Sequence, residues 1–277
     1  MEKPEAKLEK AETGSSSLQK PDLGENDSDI ESVPSLRGVE QILGYKFKNR
    51  ELLEEAFTHP SFHNLEKCLS YERLEHVGDS VLNLLITKEL FFLYPDLSPG
   101  WLTRLRAANT DNEKLARVAI KLGLHNYLRH CKIQLVERIQ IFTQAIMAHP
   151  LHSNGLVVAP KILADVVEAA IGAVYIDSDC SIDTVWKVFK SLLEPMISQE
   201  TLGDNPVVKL QEICQKKRLK LRFVTDSWEE DASVDVFIED HLAGKAMYGL
   251  KKDIAQNRAA KDALDKLESL ERKYSSL

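Results

Sequence analysis

The chain has 277 residues, which at about 100 to 200 residues per domain allows two compact domains and a tail. Hydrophobic residues make up 43% and charged residues 29%; the longest apolar stretch, Ile162 to Ile176, is broken by Asp165 and Glu168 short of the roughly 20 residues that cross a bilayer, so a membrane span is excluded. The net charge of −7 speaks against a polyanionic partner only until it is located: residues 1 to 35 hold 4 Lys or Arg against 9 Asp or Glu, whereas 36 to 200 hold 18 against 20 and 201 to 277 hold 14 against 14.

Residues 1 to 35, acidic and without an aromatic side chain, cannot bury enough apolar surface to offset ordering the backbone, and read as a disordered acidic tail. From 36 to 200 the apolar spacing is helical, with helices expected near 37 to 43, 49 to 57, 71 to 94, 100 to 108, 111 to 122, 133 to 148, 160 to 177 and 182 to 198. Breakers such as Pro95-Asp96, Ser98-Pro99-Gly100, Gly123 and His149-Pro150 fall between them. Residues 201 to 205 read as a linker. Asn205 then caps a helix that opens on Pro206, and three short alternating strands follow around Leu219 to Phe223, Val234 to Ile238 and Leu242 to Tyr248. A last helix, Lys252 to Leu270, places Ile254, Ala255, Ala259, Ala263, Leu264 and Leu267 on one side. The fold expected is mainly α: an all-helical domain over 36 to 200, a small α-β-β-β-α domain over 206 to 271, and a short tail from 272 to 277. Cys68, Cys131, Cys180 and Cys214 lack metal-site or disulfide-framework spacing, and no secretory signal precedes them. Reduced thiols in an intracellular protein, nuclear or cytoplasmic, are the expectation.

The chemistry is concentrated in two helices. Between Ser70 and Thr87, Glu72, Glu75 and Asp79 fall within about 60° of one another at helical spacing, opposite Leu74, Val77, Val81 and Leu85. Leu82 and Ile86 prolong the acidic stripe, so this helix is expected to be buried nearly all round. In 162 to 176, Asp165 and Glu168 are the only ionisable groups before Tyr175. Carboxylates on apolar helices need compensation, because stripping water from an unpaired charge costs several kcal/mol. Three readings remain open: a solvated acidic face, acids paired with Arg73, Arg104 or Arg106, and a metal site. An oxygen-only donor set with no Cys or His cluster selects a hard cation, Mg²⁺ with Mn²⁺ as substitute, and carboxylate-bound dications suit phosphodiester hydrolysis. On that reading Glu75, Asp79, Asp165 and Glu168 are the ligands and Glu72 lies at their edge. His59 and His63 stand four apart without a third ligand and read as packing or capping residues.

These segments resemble the ribonuclease III family. ERLEHVGDSVL (72 to 82) is similar to its signature helix, with His76 where an aromatic is usual and Val77 where Leu is usual. AFTHPSF (56 to 62), LTRLRAANTDNEKLA (102 to 116) and KILADVVEAAIGAVYID (161 to 177) resemble the flanking segments. The resemblance covers about 36 to 270, and the acidic tail and the long stretch 133 to 158 fit the small plant members. It implies a helical endonuclease domain followed by a double-stranded-RNA-binding domain, with Glu75, Asp79, Asp165 and Glu168 as metal ligands and Glu72 as a further catalytic acid. It also implies a homodimer in which each subunit cuts one strand, leaving short 3′ overhangs with 5′-phosphates and 3′-hydroxyls. In the C-terminal domain it points to Gln211, Glu212, Lys251, Lys252 and Arg258 as RNA contacts. The segment Asp226 to Ser233 departs from the family's Gly-Pro-x-His loop and carries Glu229, Glu230 and Asp231, and Gln256 stands where Lys is common. Modest RNA affinity is expected of that domain. The competing class is a noncatalytic RNA-binding or ribosome-associated scaffold; a protein-interaction module is a third.

Overall fold

The computed structural model describes residues 35–62, 69–249 and 251–275, with side chains to 269. The tail expected over 1 to 35 lies outside the described residues except for Ser35, and so do His63 and Cys68.

Helices α1 (Arg37–Leu43), α2 (Arg50–Ala56), α3 (Glu72–Leu93), α4 (Pro99–Thr110), α5 (Asn112–Leu122), α6 (Leu135–Ile146), α7 (Lys161–Asp177) and α8 (Ile182–Phe189) enclose one hydrophobic core. Local signals set their ends: Asn49 and Asp111 cap α2 and α5 through their side chains, and Gly44 and Gly123 close α1 and α5 with left-handed backbone. α7 is the central rod, with Ile162 to Val174 buried without interruption. It lies directly against α3 because the crossing is built on glycine. A Cβ added at Gly78 would stand 1.7 Å from the Glu168 carbonyl oxygen, and one at Gly172 would stand 2.1 Å from that of Leu74. The two backbones touch, which brings the acidic turns of both helices together.

Two expectations are corrected. The helix expected over 182 to 198 ends at Phe189. Beyond it Leu193 and Ile197 still enter the core, but side chains satisfy the backbone: Lys114 Nζ donates to the carbonyls of Leu193 (2.8 Å) and Pro195 (2.5 Å), while Asn109 takes the Ile197 N–H at 2.8 Å and donates to its carbonyl at 2.9 Å. Nor is α3 buried all round. Leu82 and Ile86 are enclosed, but Leu84 (53%), Phe91 (63%) and Phe92 (72%) stay exposed, because the helices packed on α3, chiefly α7 and α4, leave one face uncovered.

A second, separate core gathers Leu210, Cys214, Val234, Val236, Ala255, Ala259 and Ala263. It joins α9 (Pro206–Lys217), an antiparallel sheet in the order β1 (Leu221–Val224), β2 (Ser233–Ile238), β3 (His241–Met247), and α11 (Lys252–Ser275). Gly244 lets α11 settle on the sheet, since a Cβ there would lie 2.4 Å from the Ala259 carbonyl oxygen. The acidic loop after β1 winds into one helical turn, α10 (Trp228–Asp231), and α11 runs past the expected end at Leu270. No helix among the described residues is long and apolar enough to cross a membrane. Cys131, Cys180 and Cys214 are free thiols.

Candidate metal centre

At the α3–α7 crossing, oxygens of Glu75, Asp165 and Glu168 come within 4.8 Å of one another. Asp165 and Glu168 are buried and Glu75 is half-buried. The arrangement is set from both helices. Tyr71 precedes α3, pinned by its N–H to the Thr58 carbonyl at 2.9 Å, and its buried hydroxyl donates to Asp165 Oδ2 at 3.1 Å. Lys161, in the first turn of α7, reaches Asp165 Oδ1 at 2.5 Å and Glu75 Oε1 at 2.7 Å. The spacing of acids alone does not reveal Tyr71 or Lys161; the one readable signal was that Lys161 and Asp165 stand four apart, one helical turn.

Glu168 differs from its neighbours. Among the described residues nothing donates to its carboxylate, although it is only 8% exposed. Burial, followed by the charges of Asp79, Asp165 and Glu75, pushes its pKa up to about 8 against the weaker opposing pull of Lys161. Asp165 is also raised, by burial first and then by Glu75, in spite of its bonds to Lys161 and Tyr71. Lys161 is raised because its bonds to Asp165 and Glu75 outweigh its desolvation. A carboxylate enclosed beside two others and left without a donor is a position a dication satisfies. Three oxygen donors with no sulfur or imidazole fit Mg²⁺ or Mn²⁺.

Of the expected ligands, the structure brings Glu75, Asp165 and Glu168 together. Asp79 is exposed outside that triplet, its Oδ1 accepting from Asn83 Nδ2 at 2.8 Å, yet its charge is the largest acidic influence on Glu168. Glu72 is exposed at the edge and accepts from the Ser70 hydroxyl at 2.9 Å. The cation holding the acids is a lysine and not one of the candidate arginines: Arg104 pairs with Asp204 at 3.2 Å, and Arg73 acts on Glu55. His59 caps a turn, its Nδ1 accepting from the Ser61 N–H at 2.8 Å, and its ring meets Tyr71 edge-on.

In the C-terminal domain Gln211 and Glu212 are exposed on α9, and Lys251 and Lys252 are exposed at the start of α11, with Lys252 Nζ 5.8 Å from the Trp228 ring centroid. Arg258 is placed apart from them. It stacks on Tyr248 at 4.1 Å and donates through Nε to the Leu156 carbonyl at 3.0 Å.

Comparison with known proteins places the chain among relatives. The Ribonuclease III domain family matches residues 72–179, which contain all five acids. The chain is 51% identical over 230 residues to Ribonuclease 3-like protein 3 of Oryza sativa subsp. japonica, covering 83% of this chain and 77% of that one. It is 43% identical over 240 residues to Endoribonuclease Dicer homolog 1 of Arabidopsis thaliana, covering 84% of this chain but spanning only 12% of that much longer protein. Among solved structures, the nuclease domain of ribonuclease III from Campylobacter jejuni is 29% identical, with a TM-score of 0.45 over 58% of this chain and 98% of that one. The paired acidic helices and the likeness to a small plant relative over most of both chains lead to one conclusion: the chain belongs to the ribonuclease III family.

Proposed function

We propose that the protein is an endoribonuclease that cuts double-stranded RNA by dication-dependent phosphodiester hydrolysis, acting inside the cell, in the nucleus or cytoplasm. The observation that carries this reading is the convergence of Glu75, Asp165 and Glu168 within 4.8 Å, with Glu168 buried and lacking a donor. A dication held by Glu75, Asp165 and Glu168 would supply an activated water and would neutralise charge on the scissile phosphate and the departing oxygen. The protein's own part is preorganisation. Lys161 holds Glu75 and Asp165 together against their repulsion, and Tyr71 fixes the second oxygen of Asp165. Burial beside Asp79, Asp165 and Glu75 raises the pKa of Glu168 to about 8, so its ionised form is disfavoured until a positive partner offsets that cost. Asp79 and Glu72 complete the acidic rim toward solvent.

Products would carry 5′-phosphate and 3′-hydroxyl ends with short 3′ overhangs, made by a homodimer in which each subunit cuts one strand. The exposed Leu84, Phe91 and Phe92 of α3 support a second copy as partner, since solvent-facing apolar rows on one helix are costly in a monomer. The C-terminal domain would add duplex contacts through Gln211, Glu212, Lys251 and Lys252, with Arg258 available once it leaves Leu156.

One observation favours a second reading, a noncatalytic duplex-binding scaffold: Lys161 already compensates two of the three acids. Incubating the protein with a long RNA duplex in Mg²⁺ and in EDTA separates the two. Cutting only with Mg²⁺, with 5′-phosphate ends, supports the nuclease; binding without cutting in either condition supports the scaffold.

A further inference from the structure

Next to the acid cluster lies a cavity of about 560 Å³ whose walls include Lys132, Gln134, Arg138, Pro160 and Lys161. They come from the segment entering α6, from the first turn of α6 and from the start of α7. Among the described residues three lining side chains are cations and none is a carboxylate. Lys132 and Arg138 are exposed and form no ion pair among the described residues. The cavity is joined to the acids in two ways. Lys161 belongs to both, since its Nζ contacts Glu75 and Asp165. On the other side, the charge of Lys132 adds to burial in depressing the pKa of His59 and of His130, and the ring of His59 packs on Tyr71, whose hydroxyl holds Asp165. Two of the three cavity cations, Lys132 and Arg138, are therefore uncompensated among the described residues, immediately beside the acid cluster.

We infer that this cavity receives a phosphate of the RNA strand being cut, adjacent to the scissile one, with Lys132 and Arg138 as positioning residues; the inference rests on the nuclease reading above. A nucleic-acid strand repeats its phosphates, so a strand whose scissile group lies at the carboxylates must carry further anions past the neighbouring surface. An acidic surface would repel them, and dications at the cluster neutralise only what they touch. Arg138 can grip a phosphate through two parallel N–H donors, and Lys132 adds a point charge. Such contacts fix the register of the strand against Glu168 without reading its sequence.

The test compares the full chain with the double variant Lys132→Ala/Arg138→Ala and with a control of equal charge change, Lys46→Ala/Lys187→Ala, which alters exposed lysines on other elements. Duplex binding is measured in EDTA as the slope of log K against log salt, and cutting is measured in Mg²⁺ as KM and kcat. The double variant should flatten the salt slope by about 1 to 2 and raise KM roughly tenfold while kcat moves far less, and the control should alter neither. The Mg²⁺-induced rise in Tm should stay that of the parent. An unaltered slope and KM in the double variant, or an equal loss in the control, overturns the proposal. A parent protein that binds duplex without cutting it sinks the nuclease reading instead, and the slope in EDTA still decides whether the cavity takes phosphate.

Discussion

Glu113 and Glu168 sit on neighbouring helices, α5 and α7, at nearly the same burial, 6% and 8% exposed, and their surroundings could hardly differ more. Glu113 accepts from Arg117 Nε at 3.0 Å and Nη2 at 2.7 Å, from the Ser153 N–H at 2.8 Å and from its hydroxyl at 2.5 Å, with His152 Nε2 at 3.7 Å. Glu168 has three acids around it and, among the described residues, no donor. A buried carboxylate whose oxygens are all satisfied ties chain segments together, in this case α5 to the loop before α7. One that stands beside other acids without a protein donor raises the energy of its own ionised form, and such groups cluster at functional sites. Burial alone does not distinguish the two; the donor inventory does.

The comparison is broken most directly by neutralising each glutamate in turn. Glu168→Gln should lower duplex cutting by roughly 100- to 1,000-fold while leaving the metal-free Tm equal to or above that of the parent, because a repelled charge has been removed. Glu113→Gln should do the reverse. It costs about 3 kcal/mol by leaving the buried Arg117 guanidinium with a neutral partner and by replacing the oxygen that accepts the Ser153 hydroxyl with an amide NH2, a fall of roughly 6–12 °C in Tm, with cutting per folded molecule unchanged. Kinetics and thermal melts of the two variants check both, and similar behaviour in the two would dissolve the distinction.

Gly172→Ala tests whether the crossing of α3 and α7 is what gathers the acids. Its Cβ meets the Leu74 carbonyl oxygen, which should cost about 1–3 kcal/mol and weaken the response of Tm to Mg²⁺ beyond what stability alone explains. Lys161→Met removes the resident counter-charge. With a 63% exposed side chain, Lys161 contributes only about 0–1 kcal/mol to the metal-free fold, but the variant should show a larger Mg²⁺-induced rise in Tm than the parent, since the dication no longer competes with an ammonium. An equal rise in both would mean that Lys161 does not hold the metal position.

The gentlest perturbation is pH. Glu168 has a folded-state pKa raised to about 8, so the fold favours its protonated form; the stability it adds is complete below the ordinary glutamate range near 4.5 and is lost as pH rises toward 8. His152 is raised as well: burial opposes its charge, but the hydrogen bond to Asp111 and the charges of Asp111 and Glu113 prevail, so its contribution is complete below about 6.5 and lost as pH passes its raised value. Metal-free Tm should therefore fall from pH 5 to 8. Glu168→Gln should flatten that decline across the whole interval and His152→Asn only its upper part, as melts at closely spaced pH would resolve.

Much of this was legible along the chain. The periodicity of α3 and α7 placed Glu72, Glu75, Asp79, Asp165 and Glu168 on helices, and the oxygen-only donor set pointed to a hard dication. The overshoot of α8 to residue 198 shows where periodicity misleads. Leu193 and Ile197 keep a helical spacing because they fill the core, while Lys114 and Asn109, far away in sequence, take over the backbone groups that a helix would have paired. The three arginines proposed to compensate the acids were also the wrong cations, since reach across a crossing depends on which faces of two helices meet. Asp79 falls outside the tight triplet for the same reason, and Glu113, in a segment with ordinary charge patterning, carried no sign of its burial.

The sequence by itself determined most of the segments that become helices and strands, the ends that caps and breakers set, and that five acids lie on two apolar rods, because those properties depend on neighbours one to four residues apart. Only the tertiary structure decided which acids meet, that Lys161 and Tyr71 hold them, and that Glu113 gathers donors while Glu168 gathers acids. Those outcomes turn on two glycine-built backbones touching across about ninety residues of chain, and charge compensation is settled by distance in space.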